Sequence, residues 1–209
     1  MAKFVKEVIP LDRVTRVYLI RHGAVGPEWN DRVYGQWDVP LSPEGAAQAD
    51  RLAERLASAR LDAVYASDLL RALDTARRAA LRCGVPLHLD PAFREASFGH
   101  WQGQLWSDIL HCHMDEVDAR IADLAAAKMK EGESFLELRE RVVPAFRDLV
   151  ERHRGGRIAL VSHGGVTRVL IADALGLDLG RIARIEQSHC CLNIVDYPPE
   201  GAVLRLLNG

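Results

Sequence analysis

Two stretches decide how this chain reads: Arg16-Val17-Tyr18-Leu19-Ile20 runs into Arg21-His22-Gly23, and Arg157-Ile158-Ala159-Leu160-Val161 runs into Ser162-His163-Gly164-Gly165. Each is an apolar run of strand length that stops at a histidine followed by glycine. In an open α/β sheet, ligands bind just past the carboxyl ends of parallel strands, so the repeated ending puts both imidazoles on one functional edge. A single buried His-Gly is usually a core histidine satisfied by hydrogen bonds; two such endings point to chemistry.

Working outward, residues 24–41 form a loop too long for an ordinary connection, and long ordered loops usually carry function. Ser42-Pro43-Glu44 opens a helix with a capping serine and a proline in the first turn, continuing over 46–59. A short strand over 61–66 follows, then a helix that Ser67 can cap and that stops at Gly84, then a strand over 85–89. Ser134-Phe135-Leu136-Glu137 has capping-box spacing and starts a helix to about Arg152, with Pro144 as a kink. A helix follows Gly165, and apolar runs near 190–196 and 202–207 flank Pro198-Pro199-Glu200-Gly201 as a hairpin or edge strands. Strands alternating with helices predict a three-layer α/β/α fold, with a mostly parallel central sheet covered on both faces. The chain reads as a single domain over 1–209, in which residues 91–131 form a mainly helical insertion lying as a lid over the C-terminal strand edge.

The bulk numbers fit such a domain. A chain of 209 residues can bury roughly 70% of its unfolded surface without staples. With 27 basic against 29 acidic side chains there is no overall basic field for nucleic acid, so affinity for phosphate must be local. Four cysteines, two of them adjacent (Cys190 and Cys191), make a poor disulfide framework and fit a reducing cytoplasm. Residues 1–13 carry Lys3, Lys6, Asp12 and Arg13 around an apolar stretch broken by Pro10, neither a secretory leader core nor a membrane span.

His22 stands beside Arg21, whose charge opposes protonation of the ring and attracts a phosphate dianion, so a neutral imidazole there can attack phosphorus. Arg71, in the first turn of the helix after the second strand, reaches the same edge and can hold a phosphoryl group with two hydrogen bonds. Arg77, Arg78 and Arg82 on that helix read as a solvated face. Expelling an alkoxide requires an acid, and a carboxyl close to the transferring phosphate supplies one. Neutralisation by arginines and imidazole leaves no role for a metal ion or other cofactor in such a scheme.

Five blocks, in order, resemble the histidine phosphatase superfamily, also called phosphoglycerate mutase-like: Leu19-Ile20-Arg21-His22-Gly23, Pro40-Leu41-Ser42-Pro43-Glu44-Gly45, Ser67 to Ala76 around Arg71, Arg94-Glu95-Ala96-Ser97-Phe98-Gly99-His100-Trp101-Gln102-Gly103, and Val161-Ser162-His163-Gly164-Gly165. The resemblance implies that His22 is the nucleophile that becomes phosphohistidine. It further implies that Arg21, Arg71 and His163 form the phosphate pocket and that Glu95 protonates the leaving oxygen. Ala24-Val25 depart from the family pattern after Arg-His-Gly, and Asn30 stands later in the loop than the family's asparagine. Asn30, Gly35, Gln36, Trp101 and Gly164 are further candidates for contact with substrate.

The reading is a phosphomonoesterase acting on a small phosphorylated metabolite, an α-ribazole phosphate phosphatase being one specific case. The alternative is a cofactor-dependent phosphoglycerate mutase; the stretch between Glu95 and His163 is shorter than the insertion such mutases carry, which favours the phosphatase. A non-enzymatic module that holds phosphorylated ligands is argued against by the complete residue set. A zinc protein built jointly on His111-Cys112-His113 and His189-Cys190-Cys191 has no common zinc spacing behind it. No nucleic-acid or membrane partner is expected, and the C-terminal strands offer an edge for pairing in a homodimer.

Overall fold

The computed structural model describes residues 14–209; the N-terminal reading over 1–13 lies outside the described residues. Six strands form one sheet: β1 (Thr15–Arg21), β2 (Ala63–Ala66), β3 (Leu87–Leu89), β4 (Arg157–Ser162), β5 (Leu192–Tyr197) and β6 (Val203–Leu206). Among the described residues six α-helices accompany them: α1 (Pro43–Leu56), α2 (Leu70–Cys83), α3 (Trp106–Cys112), α4 (Met114–Ala122), α5 (Phe135–Arg152) and α6 (Gly164–Leu175). The strand order is β3-β2-β4-β1-β5-β6, with β3, β2, β4 and β1 parallel and β5 and β6 added antiparallel.

The two histidine-bearing strands are neighbours. Arg21 pairs with Ser162 at the end of the ladder, and the His22 amide donates to the Ser162 carbonyl at 2.9 Å, so His22 and His163 leave the sheet side by side. Both strands are apolar throughout because both faces are covered. Val17 and Leu19 of β1, with Ile158 and Leu160 of β4, pack under α5 and α6; Tyr18 and Ile20, with Ala159 and Val161, pack under α1 and α2. Each fully buried Leu, Ile or Val contributes about 1.5–3 kcal/mol, so a one-residue slip that exchanged the faces would be strongly disfavoured.

Helix ends largely follow their capping chemistry. The Ser42 hydroxyl accepts from the Gly45 amide at 3.0 Å, and Ser134 with Glu137 closes a full capping box at the start of α5, which runs on through Pro144. Helix α2 is different: it starts at Leu70, whose amide donates to Asp38 Oδ1 at 2.6 Å, so Ser67 is not its cap. Strands β5 and β6 form a hairpin in which β5 is interior and β6 the edge. Asp196 pins it, accepting from Arg16 at 2.7 and 2.9 Å across the β1–β5 pair and from Arg205 at 2.8 Å.

The segment 91–131 contains no strand; it holds two 3-10 turns (Pro91–Phe93 and Gly99–Trp101), α3 and α4. It docks on the 24–41 loop: the Gly103 amide donates to Val33 O at 2.6 Å, the Val33 amide to Gln104 O at 3.1 Å and the Trp106 amide to Asp31 O at 2.8 Å. Val33, Trp101, Ile109 and Met129 form the small core between them. Trp101, expected at the substrate, is therefore a core residue, only 1% exposed. Among the described residues no helix is long and apolar enough to cross a membrane.

Candidate active site

At the carboxyl end of β1 the His22 ring is buried, and its Nδ1 lies 2.8 Å from the Gly23 carbonyl. A carbonyl oxygen only accepts, so Nδ1 carries the proton and Nε2 keeps its lone pair. The Arg71 Nε–H donates toward that Nε2 at 3.3 Å. Burial pushes the His22 pKa well below the ordinary histidine value, and the charge of Arg71, the neighbouring His163 and the charge of Arg21 push the same way. The ring is a neutral imidazole with an available lone pair, held among cations.

Arg71 is itself fully buried. Its Nη1 donates to Trp37 O at 2.8 Å and its Nη2 to Gly35 O at 2.6 Å, with the guanidinium carbon 5.0 Å from the centre of the Tyr34 ring. These contacts use three of its five N–H bonds and leave two free. Gly35 and Gln36 thus act through the frame of the site. Gly35 has φ +41°, and a side chain there would collide with Gln102. The Gln36 amide side chain donates to the Glu95 carbonyl at 2.9 Å. Asn30 sits exposed at the end of the 3-10 turn Pro27–Trp29, its side chain in no hydrogen bond with a described residue.

His163 follows the last residue of β4 and caps α6, its ring centre 5.2 Å from that of His22. Its Nε2 is 2.9 Å from Ser67 Oγ, which is what occupies the serine expected to cap α2. Burial, followed by the charges of Arg71, Arg21 and Arg141, holds its pKa well below the ordinary value. Two buried polar atoms beside His22, His163 Nδ1 and Arg21 Nε, have no hydrogen-bond partner among the described residues. Buried polar groups are normally paired, so two orphans beside one imidazole leave hydrogen-bonding capacity that a bound group could use.

Glu95 reaches the edge from the start of the insertion. Its carboxylate accepts from the Ala96 amide at 2.9 Å and from the Gly165 amide, in the first turn of α6, at 3.0 Å. A Cβ on Gly165 would collide with that carboxylate, which explains the second glycine of the pair; one on Gly164 would meet Arg168 Nη1 at 2.9 Å. Gly23 proves to be a packing residue, because a side chain there would strike the backbone of Gly45.

Three residues escaped the sequence reading. Arg168, one helical turn after Gly164, donates to Ile185 O at 2.7 Å and places a third guanidinium near Arg21. Gln187 and His189, in the turn before β5, hold Arg21: its Nη1 donates to Gln187 O at 2.6 Å and its Nη2 lies 3.0 Å from His189 Nε2. The His189 ring centre stands 5.7 Å from that of His22, and burial and Arg21 lower its pKa to about 4. Arg21, Arg71 and Arg168 form no ion pair with a described residue, whereas Arg77, Arg78 and Arg82 are paired with Asp74, Asp50 and Glu54 as a surface face. The two His/Cys clusters do not meet in a joint zinc site; the one group of three metal-ligating side chains among the described residues is His100, His113 and Glu116.

Residues 17–209 match the family model described as histidine phosphatase superfamily (branch 1). The chain belongs to the histidine phosphatase superfamily. Among curated superfamily members it is similar to a probable phosphoglycerate mutase of Enterobacter sp. strain 638, 33% identical over 87% of this chain and 85% of the relative. Among solved structures it is similar to a mycobacterial glucosyl-3-phosphoglycerate phosphatase (TM-score 0.86, 28% identity, 94% of this chain and 100% of that one). It is also similar to the α-ribazole phosphatase of Shigella flexneri (TM-score 0.85, 30% identity, 93% and 96%).

In this member of the superfamily the buried neutral rings link stability to pH. The unfolded chain protonates histidine near pH 6.5, while folded His22 and His163 stay neutral well below that, so the unfolded state binds more protons. Stability contributed this way is present above about pH 6.5 and is lost as pH falls. Thermal midpoints in phosphate-free buffer are expected to fall between pH 7 and pH 5, and His163→Asn to remove part of that fall; an unchanged slope in the variant would contradict the assignment.

Proposed function

We propose that this protein is a phosphomonoesterase that hydrolyses a small phosphorylated metabolite through a phosphohistidine on His22. The observation that carries the reading is a pair of orphaned buried nitrogens, Arg21 Nε and His163 Nδ1, the second a donor when the Ser67 hydroxyl donates to His163 Nε2, beside a nucleophilic His22 Nε2 ringed by unpaired arginines. A phosphoryl dianion satisfies those donors and the two free N–H bonds of Arg71 at once.

In the first half-reaction His22 Nε2 bonds to phosphorus, the bond from phosphorus to the ester oxygen breaks, and the departing oxygen takes a proton from Glu95. In the second, Glu95 as carboxylate removes a proton from water, which attacks the phosphohistidine; inorganic phosphate leaves and Nε2 regains its lone pair. Trp37, 46% exposed, packs edge-on against Trp29, which packs in turn against Tyr34, and the three give an aromatic wall beside Arg71 for the organic part of the substrate.

Similarity to the probable mutase supports a second reading, in which the phosphoryl group returns to a bound phosphoglycerate. Hydrolysis of aryl and sugar phosphates with a chelator present, with and without bisphosphoglycerate, separates the two. Primer-independent release of phosphate is expected; turnover that appears only with the primer would replace the phosphatase by the mutase.

A further inference from the structure

Outside the phosphate pocket, three side chains of the insertion converge on one point. His100 lies on the 3-10 turn Gly99–Trp101, His113 stands between α3 and α4, and Glu116 lies in the first turn of α4. His100 Nε2 is 3.3 Å from Glu116 Oε1 and His113 Nδ1 is 4.0 Å from the same oxygen, with the two imidazole centres 4.8 Å apart. All three donor atoms lie within 4.8 Å of one another.

We propose that His100, His113 and Glu116 form a zinc site that fastens the insertion. The His100 Nδ1 lies 3.2 Å from the Lys130 carbonyl, which can only accept; that fixes the proton on Nδ1 and turns the Nε2 lone pair toward Glu116. A backbone carbonyl orienting one imidazole nitrogen while the other faces the site is the usual outer support of a metal-bound histidine. A lone pair facing a carboxylate oxygen is repulsive unless a cation lies between them. One proton on His100 would relieve that contact alone. It would leave His113 beyond hydrogen-bond distance and Glu116 Oε2 buried without a partner among the described residues. A divalent ion serves all three groups together.

Tetrahedral ligands about 2.0–2.1 Å from zinc stand about 3.3 Å apart, the spacing His100 and Glu116 already have, so only His113 must close in. Two imidazoles with one carboxylate select zinc over magnesium or calcium, and a water completes the fourth position. The ion would join the 99–104 strip to the α3–α4 junction. That strip carries Trp101, in the insertion's core, and Gln102, which accepts from the Gln36 amide at 2.7 Å. The site therefore stiffens the segment resting on the 24–41 loop and takes no part in phosphoryl transfer.

The test is titration of metal-free full-length protein with Zn²⁺ alone by calorimetry, and with Co²⁺ for its visible absorption bands. One equivalent should bind per chain, raise the thermal midpoint and give the strong bands of a low-coordinate nitrogen and oxygen site. His113→Asn and Glu116→Gln should each weaken binding at least about tenfold, leaving hydrolysis of an aryl phosphate in chelator unchanged. Both side chains are partly exposed, so the variants should fold, and their midpoints in chelator check this. Absence of stoichiometric binding overturns the site. So does binding that both variants retain, or a cobalt spectrum with thiolate charge-transfer bands, which would place the ion elsewhere.

Discussion

His22→Asn is expected to lower kcat/KM for any phosphomonoester by at least about 10⁴-fold, because every other lone pair at the site is engaged: His189 Nε2 faces Arg21 Nη2, and the Glu95 carboxylate accepts from the Ala96 and Gly165 amides. Arg71, Arg21 and Arg168 are donors only, and His163 Nε2 is already engaged with Ser67. Asparagine keeps much of the volume and a polar tip at Arg71, so the variant should remain folded and bind phosphate, with KM or inhibition by phosphate little changed. The decisive readout is chemical. Wild-type protein mixed with labelled substrate and quenched in base should retain one phosphoryl group per chain, stable in base and released by acid, as expected of a phosphoramidate. The variant should retain none. Label on the wild type that survives acid would indicate a different nucleophile and remove His22 from its role.

The parts of this molecule that were legible in the sequence are those encoded by local pattern. Two apolar runs ending in His-Gly gave parallel neighbours with their histidines at one edge, because a strand buried on both faces is apolar throughout and a helix-bound loop must leave at its end. The α1 serine cap and the α5 capping box were equally plain, since each is a four-residue contact. What escaped is contact between distant segments. Ser67 has the right spacing to cap a helix, and nothing nearby in sequence says that His163, 96 residues on, takes its hydroxyl instead. Trp101 reads as a shelf or as core with equal ease, and Val33, from another loop, makes it core. Arg168 and His189 carried a weak signal: an arginine one turn after a Gly-Gly helix start, and a histidine entering the strand that pairs with β1. Neither pointed to His22 until the sheet order set β4 and β5 on either side of β1.

Glu95→Gln carries the second large effect, and its size should depend on the leaving group. An alkyl alcohol needs a proton as its bond to phosphorus breaks, so for a sugar or polyol phosphate the variant should lose about 10²–10⁴ in kcat. A nitrophenolate leaves without one, so formation of the phosphoenzyme from an activated aryl phosphate should be little slowed. Water attack on the phosphohistidine also requires Glu95, this time as base. With the aryl substrate the variant should then give a rapid burst of one nitrophenolate per chain followed by slow turnover, with phosphorylated His22 accumulating. This split separates chemistry from structural damage. A glutamine side chain has one acceptor oxygen, so the variant can keep only one of the two amide contacts, from Ala96 and Gly165, that the two carboxylate oxygens of Glu95 now receive, and some displacement is expected. Displacement alone would slow both substrates alike and give no burst. Equal losses for alkyl and aryl esters with no burst would therefore move the proton transfer to another group, and His163, whose buried Nδ1 has no partner among the described residues, would be the next one to examine.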